Sequence, residues 1–192
     1  MHKAPPWLSI MRSVILLSCI LGVSAQATEL PGQQWPMAGK VIYVSDGDTL
    51  TILQSDFSKL TVRLSDIDAP ETSHGNHRPG QPYSQASKQS LSELAKGKQA
   101  TATCYEFDRH ERPVCTVLVN GQNVNAEQLR RGMAWANHAS RRYVRDPQTY
   151  TLEAQAKAAG LGLWSSQGPQ PVPPWEWRRQ CWTSKACAGA GE

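Results

Sequence analysis

Apolar positions along the chain change period several times, and each change predicts an element. Leu60, Val62 and Leu64 alternate with Thr61, Arg63 and Ser65, the period-2 signature of a strand with one buried face. Arg63 therefore points away from the side that the three aliphatic residues take. Upstream, Val41-Ile42-Tyr43-Val44 and Leu50-Thr51-Ile52-Leu53 are rich in β-branched and aromatic residues and are separated by a turn at Asp46-Gly47-Asp48. Residues 39–66 thus read as three strands. Residues 69–83 carry Pro70, Gly75, Pro79, Gly80 and Pro82 and read as a loop. From Ser84 to Lys96 the period lengthens. Ala86, Leu91, Leu94 and Ala95 trace one helical face, and Gly97 stops the helix. Residues 99–107 and 113–119 return to strand character and make a hairpin. Asn125 is positioned to cap a short helix that runs to Arg131 and ends at Gly132. A second short helix over 150–159 places Leu152, Ala156 and Ala159 at helical spacing. Four prolines between Gly168 and Pro174 impose an extended linker, and Trp175–Glu192 is too short to form a core. No internal repeat is visible.

The N-terminal segment has a different grammar. Arg12 precedes eleven apolar or small residues, Ser13 to Val23, and Ala25-Gln26-Ala27 follows them. The run is too short to span a bilayer as a helix and matches a secretory signal peptide over residues 1–27, with cleavage expected after Ala27. The expected location is periplasmic or secreted, with no stable membrane anchor after cleavage. Without this segment, eighteen Lys and Arg face sixteen Asp and Glu, a net charge of +2. Net charge is then no argument for a nucleic-acid partner, which must be argued from local placement. Four cysteines remain, Cys104, Cys115, Cys181 and Cys187, and an even count in an oxidising compartment implies two disulfides with three possible connectivities. Cys104 and Cys115 lie symmetrically about the hairpin turn, as cross-strand neighbours would, leaving Cys181 and Cys187 to close a small loop in the tail. Neither pair has zinc-site spacing.

Acids are gathered early: Asp46, Asp48, Asp56, Asp66, Asp68 and Glu71 place six of sixteen within 26 residues. Asp48, Asp68 and Glu71 fall at strand ends or just after them, where carboxylates repel one another unless a cation joins them. All-oxygen ligands favour a hard ion such as Ca²⁺ or Mg²⁺. An EF-hand is excluded, because its third and twelfth ligand positions would be Leu50 and Phe57. Taken alone, Asp46-Gly47-Asp48 is equally a plain tight turn. The arginines shift the balance. Residues 100–150 hold seven Arg and no Lys, and the planar guanidinium favours bidentate phosphate contacts. Arg63 shares a strand with the approach to Asp68, and Arg112 follows the hairpin turn. A hard metal, a carboxylate and two arginines suit phosphodiester attack. Arg130, Arg131, Arg141 and Arg142 read instead as surface ion-pair partners.

Gly39-Lys40-Val41-Ile42, Asp46-Gly47-Asp48-Thr49, Val62-Arg63-Leu64 and Ile67-Asp68-Ala69-Pro70-Glu71-Thr72 resemble, in order and spacing, the staphylococcal nuclease (thermonuclease) family. Phe107-Asp108-Arg109, Arg112, Val124-Asn125, Leu129-Arg130-Arg131-Gly132 and Leu163-Trp164 continue the likeness, over roughly residues 37–166. The resemblance implies an α+β fold, an OB-type five-stranded β-barrel with three helices, that binds Ca²⁺ and cuts DNA and RNA. By the same resemblance, Asp48, Asp68 and the Ala69 carbonyl are the expected metal ligands. Arg63, Glu71 and Arg112 are the expected catalytic group, with Glu71 as base or water-orienting residue and both arginines on the scissile phosphate. The chain departs from the family pattern at His110-Glu111, where Glu111 is a candidate partner for Arg112. It departs again near Asn137–Ser140, where Trp135 and His138 are candidates for stacking on a base. The tail beyond residue 166 has no counterpart in the core pattern.

The expected organisation is a signal peptide (1–27), a nuclease domain (37–166) and a Pro-rich linker with a Cys-containing tail (167–192). The leading expectation is an exported, metal-dependent endonuclease acting on DNA and RNA with little sugar specificity. Ca²⁺ is the expected cofactor, with another hard divalent ion as the alternative. Nothing in the sequence requires more than a monomer. The alternative is a non-catalytic OB module that holds single strands. An envelope interaction protein rests only on residues 168–187.

Overall fold

A computed structural model describes residues 34–139 and 144–187. The signal-peptide reading of residues 1–27, and Arg141 and Arg142, lie outside the described residues. Strands β1 (Trp35–Asp46), β2 (Thr49–Leu53), β3 (Lys59–Leu64), β5 (Gln99–Phe107) and β6 (Pro113–Val119) form a sheet in the order β3-β2-β1-β5-β6, with the short β7 (Gln122–Asn123) beside β6. A parallel pairing of β3 with β6 (Arg63 opposite Val114, Leu64 opposite Cys115) closes these five strands into a mixed barrel. Strand β1 starts earlier than residue 39 and serves two partners. Its first half, Trp35 to Lys40, pairs with β5, and its second half, Lys40 to Asp46, pairs with β2 across two irregularities in register. Bulges of this kind let one strand bend around a barrel corner.

Val41, Val44, Leu50, Ile52, Val62, Leu64 and Val117 fill the barrel and are fully or almost fully buried. The predicted alternation in β3 holds, with Val62 and Leu64 inside and Arg63 on the other face. Cys104 and Cys115 are opposite one another in the β5–β6 register and form a disulfide. Cys181 and Cys187 form the second.

Helices α1 (Ser84–Ala95), α2 (Val124–Arg130) and α3 (Gln148–Ala158) pack beside the barrel. The inner face of α1 corrects the sequence reading, because Ala86 is exposed while Ser84, Ser87 and Ser90 are buried with Leu91, Leu94 and Ala95. Small hydroxyl residues allow close approach and find backbone acceptors: Ser87 Oγ donates to Met133 O at 2.6 Å. The cap of α2 is also shifted. Asn123 accepts from the N–H groups of Asn125 and Ala126, whereas the Asn125 side chain turns inward. It accepts from Val117 N–H (3.1 Å) and donates to Ser65 O (3.0 Å) and Cys115 O (3.1 Å). A two-residue strand β4 (Ile67–Asp68) pairs with β8 (Trp135–Ala136).

The linker is extended over residues 169–173, and Pro174 opens a short helix α4 (Pro174–Trp177) that continues as a π-helical turn over Arg178–Thr183. This tail lies on the domain. Trp177 and Cys181 are buried, Tyr83 Oη donates to Pro169 O (2.9 Å), and Trp182 Nε1 donates to Pro79 O (3.2 Å). Among the described residues, no helix is long and apolar enough to cross a membrane.

Candidate active site

The turn between β1 and β2 owes its position to glycine. A Cβ on Gly47 would lie 1.8 Å from Ser87 Oγ and 2.8 Å from the Ala69 Cβ, so only glycine lets the turn press against α1. Gln128 secures it by donating from Nε2 to Gly47 O (2.8 Å) and Ser87 O (3.1 Å). Asp48 is thereby fixed. Its N–H donates to Asp46 Oδ1 (3.1 Å), and its carbonyl accepts from Leu64 N–H (2.8 Å). Asp68 is held by the β4–β8 pairing, opposite Trp135.

These placements bring the two predicted carboxylate ligands onto one guanidinium. Arg63 Nη1 is 2.8 Å from Asp48 Oδ1, and Nη2 is 2.7 Å from Asp68 Oδ1. The remaining Asp48 oxygen accepts from Ala69 N–H at 2.7 Å, and Thr49 Oγ1 donates to Oδ1 at 3.0 Å. Ala69, which follows Asp68 in the chain, thus also touches Asp48 through its N–H. Both aspartates are 2% exposed. Burial raises Asp48 above the usual carboxylate range, with Arg63 opposing and the neighbouring charges of Asp46 and Asp68 adding to the rise. Burial acts on Asp68 in the same direction, but Arg63 and Arg178 more than offset it and leave it lowered.

Arg112 reaches the site from the far side of the seam. Val114 is opposite Arg63, so Arg112 lies two residues upstream of the pairing partner. Its Nε and Nη2 donate to Asp108 Oδ2 (2.8 and 2.7 Å), and its Nη1 approaches Thr49 Oγ1 at 3.5 Å. The sequence-neighbour expectation fails here. Glu111 adopts φ +58° and is exposed, and Asp108 is the partner. Burial would raise Asp108, but hydrogen bonds from Arg112 and from His110 N–H hold it below its ordinary value. Of the stacking candidates, Trp135 is corrected, since it is buried edge-to-face against Trp164; His138 is exposed, with Nε2 2.7 Å from Glu153 Oε2. Arg130 and Arg131 pair with Glu127 and Glu93, as surface ion pairs.

Glu71 stands on the same cleft, which Thr49, Arg63, Arg112, Arg178 and Trp182 also line. Burial raises its pKa, the Asp48 charge adds to the rise and Arg178 opposes it. Arg178 was invisible to sequence reasoning as a site residue. Its Nη2 donates to Asp68 Oδ2 (2.7 Å), and its Nη1 donates to Asp68 Oδ1 (3.1 Å) and to Glu71 Oε1. The available signal was Arg178-Arg179 set between Trp177 and Trp182 in a segment otherwise rich in proline and small residues.

The donor set fits a hard divalent cation. Asp46, Asp48, Asp68 and Glu71 crowd against two guanidiniums, Arg63 and Arg178, so acids outnumber bases in the cluster. Among the described residues, no three His, Cys, Asp or Glu side chains form a metal cage. A cation here would have two carboxylates to draw on, Asp48 and Asp68, and would need backbone oxygen and water to complete its shell.

A barrel closed by β3 and β6, with carboxylates and arginines gathered at its seam, defines a class that comparison with known proteins identifies. The model of the family described as "Staphylococcal nuclease homologue" matches residues 61–166, more than half of the chain. An uncharacterized endonuclease of Haemophilus influenzae is 38% identical over 141 residues, covering 73% of this chain and 72% of that protein. The micrococcal nuclease of Shigella flexneri is 36% identical over 153 residues (73% and 80%). Protein ParB of Escherichia coli is 32% identical over 181 residues (90% and 92%). The chain belongs to the staphylococcal nuclease family and is a nuclease.

Proposed function

We propose that this protein is an exported endonuclease that hydrolyses phosphodiester bonds of DNA and RNA and depends on Ca²⁺ or another hard divalent cation. The observation that carries the reading is the sharing of Arg63 by Asp48 and Asp68, with Glu71 beside them and Arg112 across the seam. Asp48, Asp68 and the Ala69 carbonyl are the groups that would hold the cation. Bound there, it would neutralise charge on the phosphate being cleaved. The chain's own groups do the rest. Arg63 and Arg112 offer N–H donors to the phosphate oxygens, whose charge grows as water attacks. Glu71 accepts the proton of the attacking water as the new P–O bond forms. The P–O bond to the leaving oxygen breaks, and that oxygen takes a proton from solvent. The raised pKa of Glu71 suits a proton acceptor.

A site whose arginines would grip phosphate rather than a sugar 2′-hydroxyl supports action on both DNA and RNA. The signal-type segment at residues 1–27 and the two disulfides support export. All the groups come from one chain, which supports a monomer. Fluorogenic DNA and RNA substrates, offered with Ca²⁺ and then with excess chelator, test the reading. Both substrates should be cut with Ca²⁺, and cleavage should stop with chelator and return when Ca²⁺ is restored. A strand-holding module would bind the substrates and cut neither.

A further inference from the structure

Asp68 is held by two guanidiniums at once. Arg63 takes one of its oxygens at 2.7 Å, and Arg178 spans both, at 3.1 and 2.7 Å, while also meeting Glu71. Both aspartates are almost wholly buried beneath these guanidiniums, whereas Arg63, Arg178 and Glu71 form the cleft wall. Arg178 is no stray surface side chain. It follows the buried Trp177 and opens the π-helical turn that leads into Cys181, which is buried and disulfide-bonded to Cys187. The tail is further pinned by Trp182 on Pro79 O and by Tyr83 on Pro169 O. Trp182 also lies under the guanidinium of Arg78, 5.3 Å from its ring centre, and edge-on to His74. The loop that carries Glu71 is thus gripped from both ends by the tail.

We infer that Arg178 is a resident counter-cation of the carboxylate site, which the divalent ion must displace from Asp68, so that the tail sets the cation concentration at which the nuclease becomes competent. The inference rests on the reading above that Asp68 is a metal ligand. Its physical basis is exclusion at shared oxygens. A hard cation needs Asp68 lone pairs pointing at it, and a two-pronged guanidinium already occupies both oxygens. A ligand that can bind only the tail-released state has its apparent affinity reduced by the fraction of molecules in that state. Arg178 thus opposes the cation without opposing the fold: when the guanidinium leaves Asp68 the turn over residues 174–184 loosens, while the linker contacts of Gln81 with Val172 O and of Tyr83 with Pro169 O keep the tail tethered. Arg179 carries the same charge on the same cleft and is the natural control for a general electrostatic effect.

The test is calorimetric titration of Ca²⁺ into the full-length oxidised protein, with no nucleic acid present, for wild type, Arg178→Gln, Arg179→Gln and Asp68→Asn. Arg178→Gln should lower the dissociation constant about fivefold or more, and Arg179→Gln should change it much less. Hydrogen exchange gives a second readout that does not depend on a variant's folding. Residues 174–184 of wild type should lose protection when Ca²⁺ is added. Unchanged or weaker binding in Arg178→Gln overturns the inference, as does an equal gain in Arg179→Gln. Protection of the tail that rises with Ca²⁺ overturns it as well. Asp68→Asn separates the two levels of reading. If it still binds Ca²⁺ like wild type, the metal-ligand assignment falls and the inference falls with it. If it abolishes binding while Arg178→Gln behaves as wild type, only the inference falls.

Discussion

At Glu71 opposing influences meet on one carboxylate. Burial and the Asp48 charge favour the protonated form, while Arg178 favours the ionised one. Replacing the acid by its amide preserves shape and removes proton-accepting capacity, so Glu71→Gln isolates that function. Turnover should fall about 100-fold or more, the scale of general-base assistance, while affinity for a DNA oligonucleotide, measured by anisotropy in chelator, stays within a few-fold of wild type. Cleavage that persists near the wild-type rate would remove Glu71 from the reaction. The individual site residues differed in how plainly they could be read. Asp48, Arg63, Asp68 and Glu71 lie within 24 consecutive positions, and strand alternation already sets Arg63 apart from the core. The partner of Arg112 was hidden because a positive φ at Glu111 turns the hairpin tip so that Asp108, four residues back, faces the guanidinium. Arg178 was hidden for a plainer reason: 107 residues separate it from Glu71, and no local pattern encodes such a contact.

Among the elements, α2 shows what an apolar periodicity misses. Its Asn125 has the composition of a cap, and Asn123 does the capping, because an N-cap side chain must sit outside the helix to reach back to the first free N–H groups. Asn125 joins three segments, since one amide serves Val117 N–H, Ser65 O and Cys115 O at the point where β3 meets β6. Asn125→Ala removes the side-chain partner of the Val117 N–H and of Ser65 O, while Cys115 O keeps the Ser65 N–H. The expected cost is about 2–4 kcal/mol, read as a lower urea midpoint at unchanged slope. A loss below about 0.5 kcal/mol would mean that water replaces the amide. The serine face of α1 gives the same lesson. A search for apolar spacing selects Ala86, whereas the buried face includes Ser84, Ser87 and Ser90, and it is Ser87 that meets Gly47. Strand boundaries were far more legible, because alternation and turn residues are local. The hairpin at 99–107 and 113–119 falls where its sequence puts it.

Across the whole molecule, equal charges occupy unequal places. Arg63 and Arg112 face the cleft, whereas Arg130 and Arg131 pair with Glu127 and Glu93 at the end of α2. Arg63→Ala and Arg112→Ala should lower turnover at saturating substrate far more than the Arg130→Ala/Arg131→Ala double variant, which should mainly flatten the salt dependence of binding. Because Arg63→Ala also strands two buried aspartates, Arg63→Lys accompanies it. A lysine keeps the charge but not the two-pronged geometry, and should recover stability without recovering full rate. Similar losses in all the variants would reduce the site to a basic surface.

The parallel seam between β3 and β6 has a consequence for the cell that makes this chain. Arg63 lies in β3 and Arg112 immediately precedes β6, and the seam brings the two together; the disulfide-bearing Cys115 is part of the same pairing. Contacts between segments this far apart in sequence form only after long loops have closed. Until the seam forms, the phosphate-gripping arginines sit on separate pieces of chain and the polypeptide is harmless to nucleic acid. Barrel closure is therefore a safety catch: a ribosome can synthesise the chain without exposing the host's own nucleic acid to a working enzyme.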